Sequence, residues 1–361
     1  MAHRGARLPR TSVVLAACDD ELHLERAVES VLSQKADFEL VIADCATTGR
    51  VAALIDRFHE RDIRVETVRL DAPSVPHALA SALASARGER VLIMGQNDWL
   101  APGMLSELSA FAGDNDLDLA VPARSKDLCL RKGEPPRCRA LSLPTECWGP
   151  GAPDDGGQEL DEAREAVAAL YGLGLLEGAF GALMRRSLAL AAARSFKNLA
   201  SPVEYMVECL RDVRRVGVLD CAPYHSFYGC PPAAIPCELG RFACLEREHA
   251  SVLSLCCSWG VAADSTALQA VHYRHVIGCI GCIDNMSVGS GRLPSAERIA
   301  RIGSMLAAPA VVESLHAVSG AARDFGLMYR PMLGGNAVAC AMFCRLRELG
   351  RASHVPMAPV L

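Results

Sequence analysis

The stretch VLIMGQNDWL, residues 91–100, decides how the chain is read. Its first four residues are apolar and suit a buried strand. They stop at a small polar cluster, Gly95, Gln96, Asn97 and Asp98, followed by Trp99. A buried strand that ends in polar residues delivers them to the rim of a sheet. Upstream, the same unit recurs. TSVVLAAC (11–18), FELVIADC (38–45), IRVETVRL (63–70) and RVLIMG (90–95) read as strands. Between them Leu24, Ala27, Val28, Val31 and Leu32, then Val51, Leu54, Ile55 and Phe58, recur at helical spacing, and 75–87 is Ala-rich and helical. Pro102 opens a further helix with Met104, Leu105, Leu108 and Phe111, and DLAVP (118–122) is another strand. Near-continuous apolar strands alternating with helices predict an α/β fold, a mostly parallel sheet with helices on both faces. Ligands of such sheets bind beyond the C-terminal strand ends. Three ends converge there: Cys18-Asp19-Asp20-Glu21, Asp44-Cys45 and Gly95-Gln96-Asn97-Asp98.

The 361 residues suffice for two domains or for one with an appendage. Half are apolar (51%), which places the chain among ordinary globular proteins. A net charge of -5 gives no basic face for nucleic acid, so no nucleic-acid partner is expected. The 16 cysteines include one CxxC (Cys279, Cys282), the pair Cys256 and Cys257, and Cys340 and Cys344 four apart. No second CxxC lies at zinc-ribbon distance. On helices, spacings of three and four put both thiols on one face, and buried reduced thiols are the expectation. Leu15-Ala16-Ala17-Cys18 resembles a lipoprotein cleavage site, but the apolar run before it is only about seven residues, and cleavage would remove the first strand. No run reaches the ~18 apolar residues of a membrane span. The expected compartment is the cytoplasm.

Residues 123–170 contain Pro135-Pro136, GPGAPDDGG (149–157) and scattered charges, and read as an irregular excursion with a helix from 159. Met184, Leu188 and Leu190 suggest a helix, Val203–Leu210 another, and RRVGVLD (214–220) a strand. Beyond Pro236 the pattern is helical, with stripes at Val276, Ile277, Ile280, at Ile299, Ile302, Leu306 and at Val311, Val312, Leu315. The expected organisation is an α/β half over 1–122, the excursion over 123–170, a second half over 171–235, and a helical region over 236–361.

In order and spacing the chain resembles family 2 glycosyltransferases of the GT-A fold. SVVLAACDDELHLERAVESVLSQ is similar to that family's first strand and helix, and FELVIADCATTG to its second strand and VDDGSTDG turn. ASARGERVLIMGQNDWLAPGML resembles the block that carries the metal carboxylates, and LMRRSL with VGVLDCAPYHSF resembles the distal half. The resemblance implies that the half over 1–122 binds a nucleotide, with a nucleoside diphosphate sugar as donor, a glycan or lipid-linked acceptor, Mg²⁺ or Mn²⁺ on the diphosphate, and a general base. The helical tail resembles that of members that build envelope polysaccharides. From these positions Asp19, Asp20, Asp44 and Asn97 are the expected nucleotide-sugar contacts, Asp98 the metal ligand and Glu204 the base.

The family's text is altered where its chemistry sits. The two metal aspartates fall at Gly95 and Asn97, and the first Asp of the turn at Ala43. The Arg-Asn pair of the third helix falls at Leu79 and Ala80, and the acidic pair that includes the base at Ser201 and Pro202. Proline cannot serve as a base. Two functions therefore stand side by side: a glycosyltransferase with substituted groups, and a non-catalytic relative that binds a nucleotide, glycan or protein through the same crevice. Other residues carry paired readings. Trp99 stacks on a base or packs under the next helix. Asp19, Asp20 and Glu21 meet a nucleobase or cap the helix. His77 and His225 face the crevice by analogy or are structural, and Arg185-Arg186 meets a phosphate or lies on a solvated face. Residues 332–351 form a core helix with a basic end, or lie on an anionic membrane surface as a peripheral contact.

Overall fold

The computed structural model describes residues 10–47, 49–69, 75–128, 137–151, 157–176, 178, 180–193, 202–228, 237–288 and 293–352, with side chains to 347. These residues form two compact units. One comprises described residues of Met1–Cys129, Pro135–Ala166 and Leu175–Gly229, the other those of Val167–Gly174 and Cys230–Leu361.

The first unit is mixed α/β. Strands β1 (Thr11–Ala17), β2 (Phe38–Asp44), β3 (Val65–Arg69) and β4 (Arg90–Met94) pair in parallel in the order β3-β2-β1-β4. Helices α1 (Glu21–Leu32), α2 (Gly49–Arg61), α3 (Val75–Ser85) and α4 (Met104–Asp114) connect or follow them. All seven residues of β1 are buried. Val13, Leu15 and Ala17 join one core with Leu24, Val28 and Ile55, while α3 covers β1 and β2 through Ala78, Leu79, Ala82 and Leu83. Burial on both faces removes any need for polar alternation, which is why the strands read as continuous apolar runs.

The sheet departs from the expected parallel order beyond β4. The sequence runs on through the two-residue β5 (Trp99–Leu100), β6 (Leu119–Leu128), β7 (Arg137–Leu141) and β8 (Glu146–Trp148). It then forms α5 (Gln158–Gly172), β9 (Leu183–Arg185), α6 (Arg186–Ala193), α7 (Pro202–Leu210) and β10 (Val216–Tyr228). β9 inserts antiparallel between β4 and β6, and the order continues β9-β6-β10-β5. Met184 thus belongs to a strand, not to the helix expected from its spacing with Leu188. The excursion at 123–170 is not irregular throughout. β6 extends to Leu128, β7 pairs with it, and β8 pairs with β10. Strand β7 (RCRAL) is exposed or nearly so along its length, so no apolar period marks it. Much of the excursion's Pro- and Gly-rich text (129–136, 152–156) lies outside the described residues.

The second unit is helical: α8 (Arg241–Ser258), α9 (Thr266–Val288), α10 (Ser295–Leu306), α11 (Pro309–Ala317), a 3-10 segment (Ser319–Met328), α12 (Tyr329–Leu333) and α13 (Ala337–Ala352). Its core gathers Val276, Ile280, Ile283, Ile302, Leu306, Val311 and Leu315 with Cys279, Cys282, Cys340 and Cys344. Burial pushes the Cys282 and Cys340 thiols up to about 11, so they remain protonated hydrophobes. On α13, Val338, Met342 and Leu346 lie on the exposed side. No helix among the described residues is long and apolar enough to cross a membrane.

Inside this unit three imidazoles meet one hydroxyl. Ser314 Oγ lies 3.0 Å from His272 Nδ1, 2.9 Å from His275 Nδ1 and 3.4 Å from His249 Nε2, and all four residues are buried. A serine hydroxyl has one proton to give and two lone pairs. His275 Nε2 sits 2.9 Å from Glu246 Oε1, which makes that nitrogen the N–H and leaves Nδ1 to accept from Ser314. His272 and His249 then donate to the serine oxygen. This closure needs all three rings neutral. The His249 and His275 rings stack with centroids 3.8 Å apart at 6°. Burial, then mutual repulsion, pulls His249 down to about 2 and His275 to about 4. Burial also lowers His272, against the pull of Glu313, while it raises Glu246.

Unfolding returns these histidines to their usual pKa near 6.5, so the unfolded chain gains protons first as pH falls. Their neutral network is expected to stabilise the unit fully above pH ~6.5, and to lose that contribution progressively toward pH ~4. Thermal unfolding at pH 7.5 and 5.0 measures it. Ser314→Ala leaves three nitrogens without their partner and is expected to cost ~1–3 kcal/mol at pH 7.5.

Candidate functional site

Four carboxylates reach the strand-end crevice, and each is tied to the scaffold. Asp20 is the N-cap of α1, accepting from the His23 backbone N–H at 3.2 Å, and its other oxygen meets His23 Nδ1 at 2.6 Å. Asp19 accepts from the Thr47 backbone N–H at 2.8 Å and the Thr47 hydroxyl at 2.5 Å, which fastens the β2–α2 loop to β1. Asp44 accepts from the Ala46 N–H at 3.0 Å, a local turn closure. Gln96 crosses between strand ends, its Oε1 accepting from the Cys18 backbone N–H.

Asp98 is the fourth. Its Oδ2 accepts from the Tyr224 hydroxyl at 2.6 Å, and its Oδ1 from the Phe227 backbone N–H at 3.0 Å. Its own N–H closes a turn on the Gly95 carbonyl at 3.1 Å. Burial pushes this carboxyl up, opposed by those hydrogen bonds and by Arg124. Tyr224 is wholly buried, and burial together with Asp98 pushes its hydroxyl far up, so it stays a donor. The geometry accounts for Gly95: a Cβ there would stand 2.6 Å from Asp98 Oδ2. An aspartate at 95 and an inward-folded Asp98 exclude one another. The apparent loss of a metal carboxylate is the room that the Asp98–Tyr224 bond occupies.

The crevice holds a second assembly. His225 Nδ1 donates to Asp127 Oδ2 at 2.7 Å, and Asp127, with no exposed surface, also accepts from Ser125 Oγ at 2.7 Å. The His225 ring stacks on Trp99 with centroids 4.6 Å apart at 10°. The Arg26 guanidinium carbon lies 3.9 Å from the Trp99 centroid and 4.7 Å from that of Phe227, and Arg26 Nη2 donates to the Asn97 carbonyl at 2.6 Å. Burial lowers the Arg26 pKa, while Asp127, Asp98 and Asp20 hold it up. His225 keeps 19% of its side chain exposed, so solvent reaches the ring. With Nδ1 held by a carboxylate, the proton is placed there and Nε2 is the basic nitrogen.

The structure therefore brings Asp19, Asp20, Asp44, Asn97 and Asp98 to one set of strand ends. Glu204 stands elsewhere in the chain's order, in the first turn of α7 and half-buried, and Ser201 lies outside the described residues. Trp99 is sandwiched in the crevice rather than packed under α4. Arg185 pairs with Asp116 at 2.6 Å and Asp118 at 2.7 Å. Arg26 and Asp127 carried no sequence signal: one reads as a helix-face charge, the other sits in the excursion.

A hard divalent cation needs about six oxygen ligands and negative charge. Gly95 gives none, both Asp98 oxygens are taken, and Asn97 Oδ1 is one neutral oxygen, buried and unpartnered. Among the described residues no group of three or more His, Cys, Asp or Glu is placed to hold a metal ion. Mg²⁺ or Mn²⁺ in the carboxylate cage implied by the resemblance does not fit these residues.

An open, mainly parallel sheet with one antiparallel strand inserted beside β4, and polar groups gathered at the ends of β1, β2 and β4, defines a GT-A glycosyltransferase fold. The sequence agrees over part of its length: residues 12–148 match Glycosyl transferase family 2. An uncharacterized glycosyltransferase of Bacillus subtilis (strain 168), EpsJ, is 22% identical over 113 residues, 31% of this chain and about a third (33%) of that protein. The crystal structure of Staphylococcus aureus TarS 1–349 superposes with a TM-score of 0.54 at 14% identity, covering 94% of this chain and 92% of that one. The same TarS fragment in complex with UDP-GlcNAc gives 0.53 at 13% identity, with the same coverage.

If Asp98 is a scaffold residue, Asp98→Ala should lower stability by ~1–3 kcal/mol, because it strands a buried hydroxyl and a backbone N–H. Tyr224→Phe should cost no more than that. Gly95→Asp, which places a second carboxylate against the first, should destabilise more than either. Thermal or denaturant unfolding of the three variants measures the order, and a Gly95→Asp protein as stable as the parent would refute it.

Proposed function

We propose that the chain is a sugar-nucleotide-dependent glycosyltransferase in which two substituted groups replace the family's pair. Arg26 meets the donor diphosphate in place of a carboxylate-held cation, and His225 takes the acceptor proton in place of a carboxylate base. The observation that carries this is the Arg26–Trp99–His225 stack anchored on Asp127. It sets a cation and an oriented imidazole beside Asn97 at the end of β4. An imidazole whose Nδ1–H is fixed on a buried carboxylate presents Nε2 as an oriented general base. A guanidinium matches diphosphate oxygens in charge and geometry.

In this reading Asp19 and Asp44 shape the nucleoside end of the crevice through the loop they hold. Asn97 offers its unpartnered amide oxygen as an acceptor to the donor. The binding of UDP-GlcNAc by TarS supports a nucleotide sugar as ligand. The acceptor is a glycan or a lipid-linked glycan of envelope polysaccharide type, used on the cytoplasmic side. Exposed Val338, Met342 and Leu346 beside Arg345 on α13 support a peripheral contact with an anionic membrane.

A second reading, a non-catalytic relative that binds the same donor, is favoured by the four crevice carboxylates, all of which bond to the scaffold.

Thermal unfolding against UDP- and GDP-sugars in EDTA, followed by transfer assays, separates the readings. Saturation at about a hundred times Kd should add ~2.7 kcal/mol of stability, a shift of a few degrees, without added metal. Arg26→Ala should abolish that shift. His225→Ala should keep it and lose ~100-fold or more of turnover. A shift without any transfer supports the non-catalytic reading. A shift that appears only with Mn²⁺ rejects the role of Arg26.

A further inference from the structure

Two thiols stand at the nucleoside end of the same crevice. Ala17 and Asp44 are the last register partners of the parallel pair β1 and β2. Cys18 and Cys45 each follow by one residue, and the pairing continues through the Cys45 N–H, which donates to the Ala17 carbonyl at 2.8 Å. Opposed residues of neighbouring parallel strands point to the same face about 4.8 Å apart, within the ~4.4–6.8 Å Cα range of a disulfide. The two thiols are free. Cys45 is buried and Cys18 is partly exposed, so the pair has one accessible sulfur and one behind it. Around them, Asp19 and Thr47 close one side, and Gln96 fixes the Cys18 backbone.

We propose that Cys18 and Cys45 form a redox-sensitive dithiol, oxidised by peroxides to an intramolecular disulfide that closes the nucleoside end of the crevice.

The Cys18 thiolate attacks a peroxide oxygen, the O–O bond breaks, and Cys18 becomes a sulfenic acid while hydroxide leaves. The Cys45 sulfur then attacks the Cys18 sulfur. The S–O bond breaks, and the hydroxyl leaves as water with the Cys45 thiol proton. Two electrons pass from the two thiols to one peroxide, and a thiol reductant reverses the change. The neighbouring Cys45 thiol lowers the Cys18 pKa to about 7, against burial and the nearby Asp19, while that of Cys45 is raised. Cys18 is therefore the attacking thiol and Cys45 the resolving one. Other cysteines have the opposite character: burial pushes buried Cys209 up to about 12, and half-buried Cys221 and buried Cys256 to about 11. The closure of the crevice rests on the donor-site reading above. The disulfide itself does not.

The test treats the full chain with hydrogen peroxide, blocks free thiols and maps peptides by mass spectrometry, with Cys18→Ser and Cys45→Ser alongside. The expected result is a Cys18–Cys45 crosslink that a dithiol reductant reverses, and in Cys45→Ser a Cys18 sulfenic acid captured by a dione probe. The proposal is overturned if both thiols stay alkylatable while exposed Cys257 oxidises, or if Cys18 pairs elsewhere. A second arm reads UDP-induced thermal stabilisation of the reduced and oxidised protein. Loss of the shift on oxidation, restored by reduction and absent in Cys45→Ser, supports closure. An unchanged shift in crosslinked protein overturns it. No shift in the reduced protein, with the crosslink mapped, rejects the donor reading and upholds the dithiol.

Discussion

The hydrogen bond between the Tyr224 hydroxyl and the Asp98 carboxylate, with the Phe227 N–H on the other oxygen, fixes the centre of the first unit. It joins residues 126 positions apart and pins the end of β4 to the far stretch of β10. Its cost is a carboxyl out of water, tolerable because both oxygens are paired. Much else follows. Gly95 must lack a side chain. Gly181, at φ +81, must also lack one, since a Cβ there would stand 2.8 Å from the Tyr224 ring. Trp99, next to Asp98, is brought opposite His225 in the β5–β10 register, and this register puts the indole and imidazole face to face. The polar cluster at 95–98 is thus first a structural joint, and only through that joint a place where ligand groups assemble.

The fold was legible wherever burial imposed a period. Strands β1 to β4 and their helices stand within a few residues of the apolar runs, because a strand buried on both faces writes itself as uninterrupted Val, Ile and Leu. The signal failed for strands stabilised by other means. β9 has three residues, and Met184 within it also fits a helical spacing. β7 is a polar edge. The site was legible in its location and less so in its detail. Convergence of three strand ends follows from the period alone. Whether a carboxylate faces outward or folds back depends on a tyrosine 126 positions away, which no local pattern reports. His225 acquires its meaning from Asp127, and Arg26 from two aromatic rings, all partners set by tertiary structure.

The electrostatic character of the crevice follows from the same commitment. In a metal-assisted site, free carboxylates repel a diphosphate until a cation intervenes. Here the acids are held by N–H and O–H donors of the scaffold, and an arginine is retained between two rings. The field at the end of β4 is therefore less negative than a count of aspartates implies. The helical unit treats charge in the same way, with three neutral imidazoles closed on one hydroxyl.

The antiparallel insertion of β9 bears on how the chain is made. β4 ends at residue 94 and its neighbour on that side begins at 183. While the chain emerges from the ribosome, the N-terminal βα units can pair among themselves, but β4 keeps a bare edge until some ninety further residues have been synthesised (94 to 183). The far half of β6 pairs early with β7, but its first residues wait for β9 and its other edge for β10. An unpaired apolar edge is where wrong partners add. The nascent chain thus carries an aggregation hazard between the synthesis of β4 and that of β9, and a three-residue strand closes the bare β4 edge.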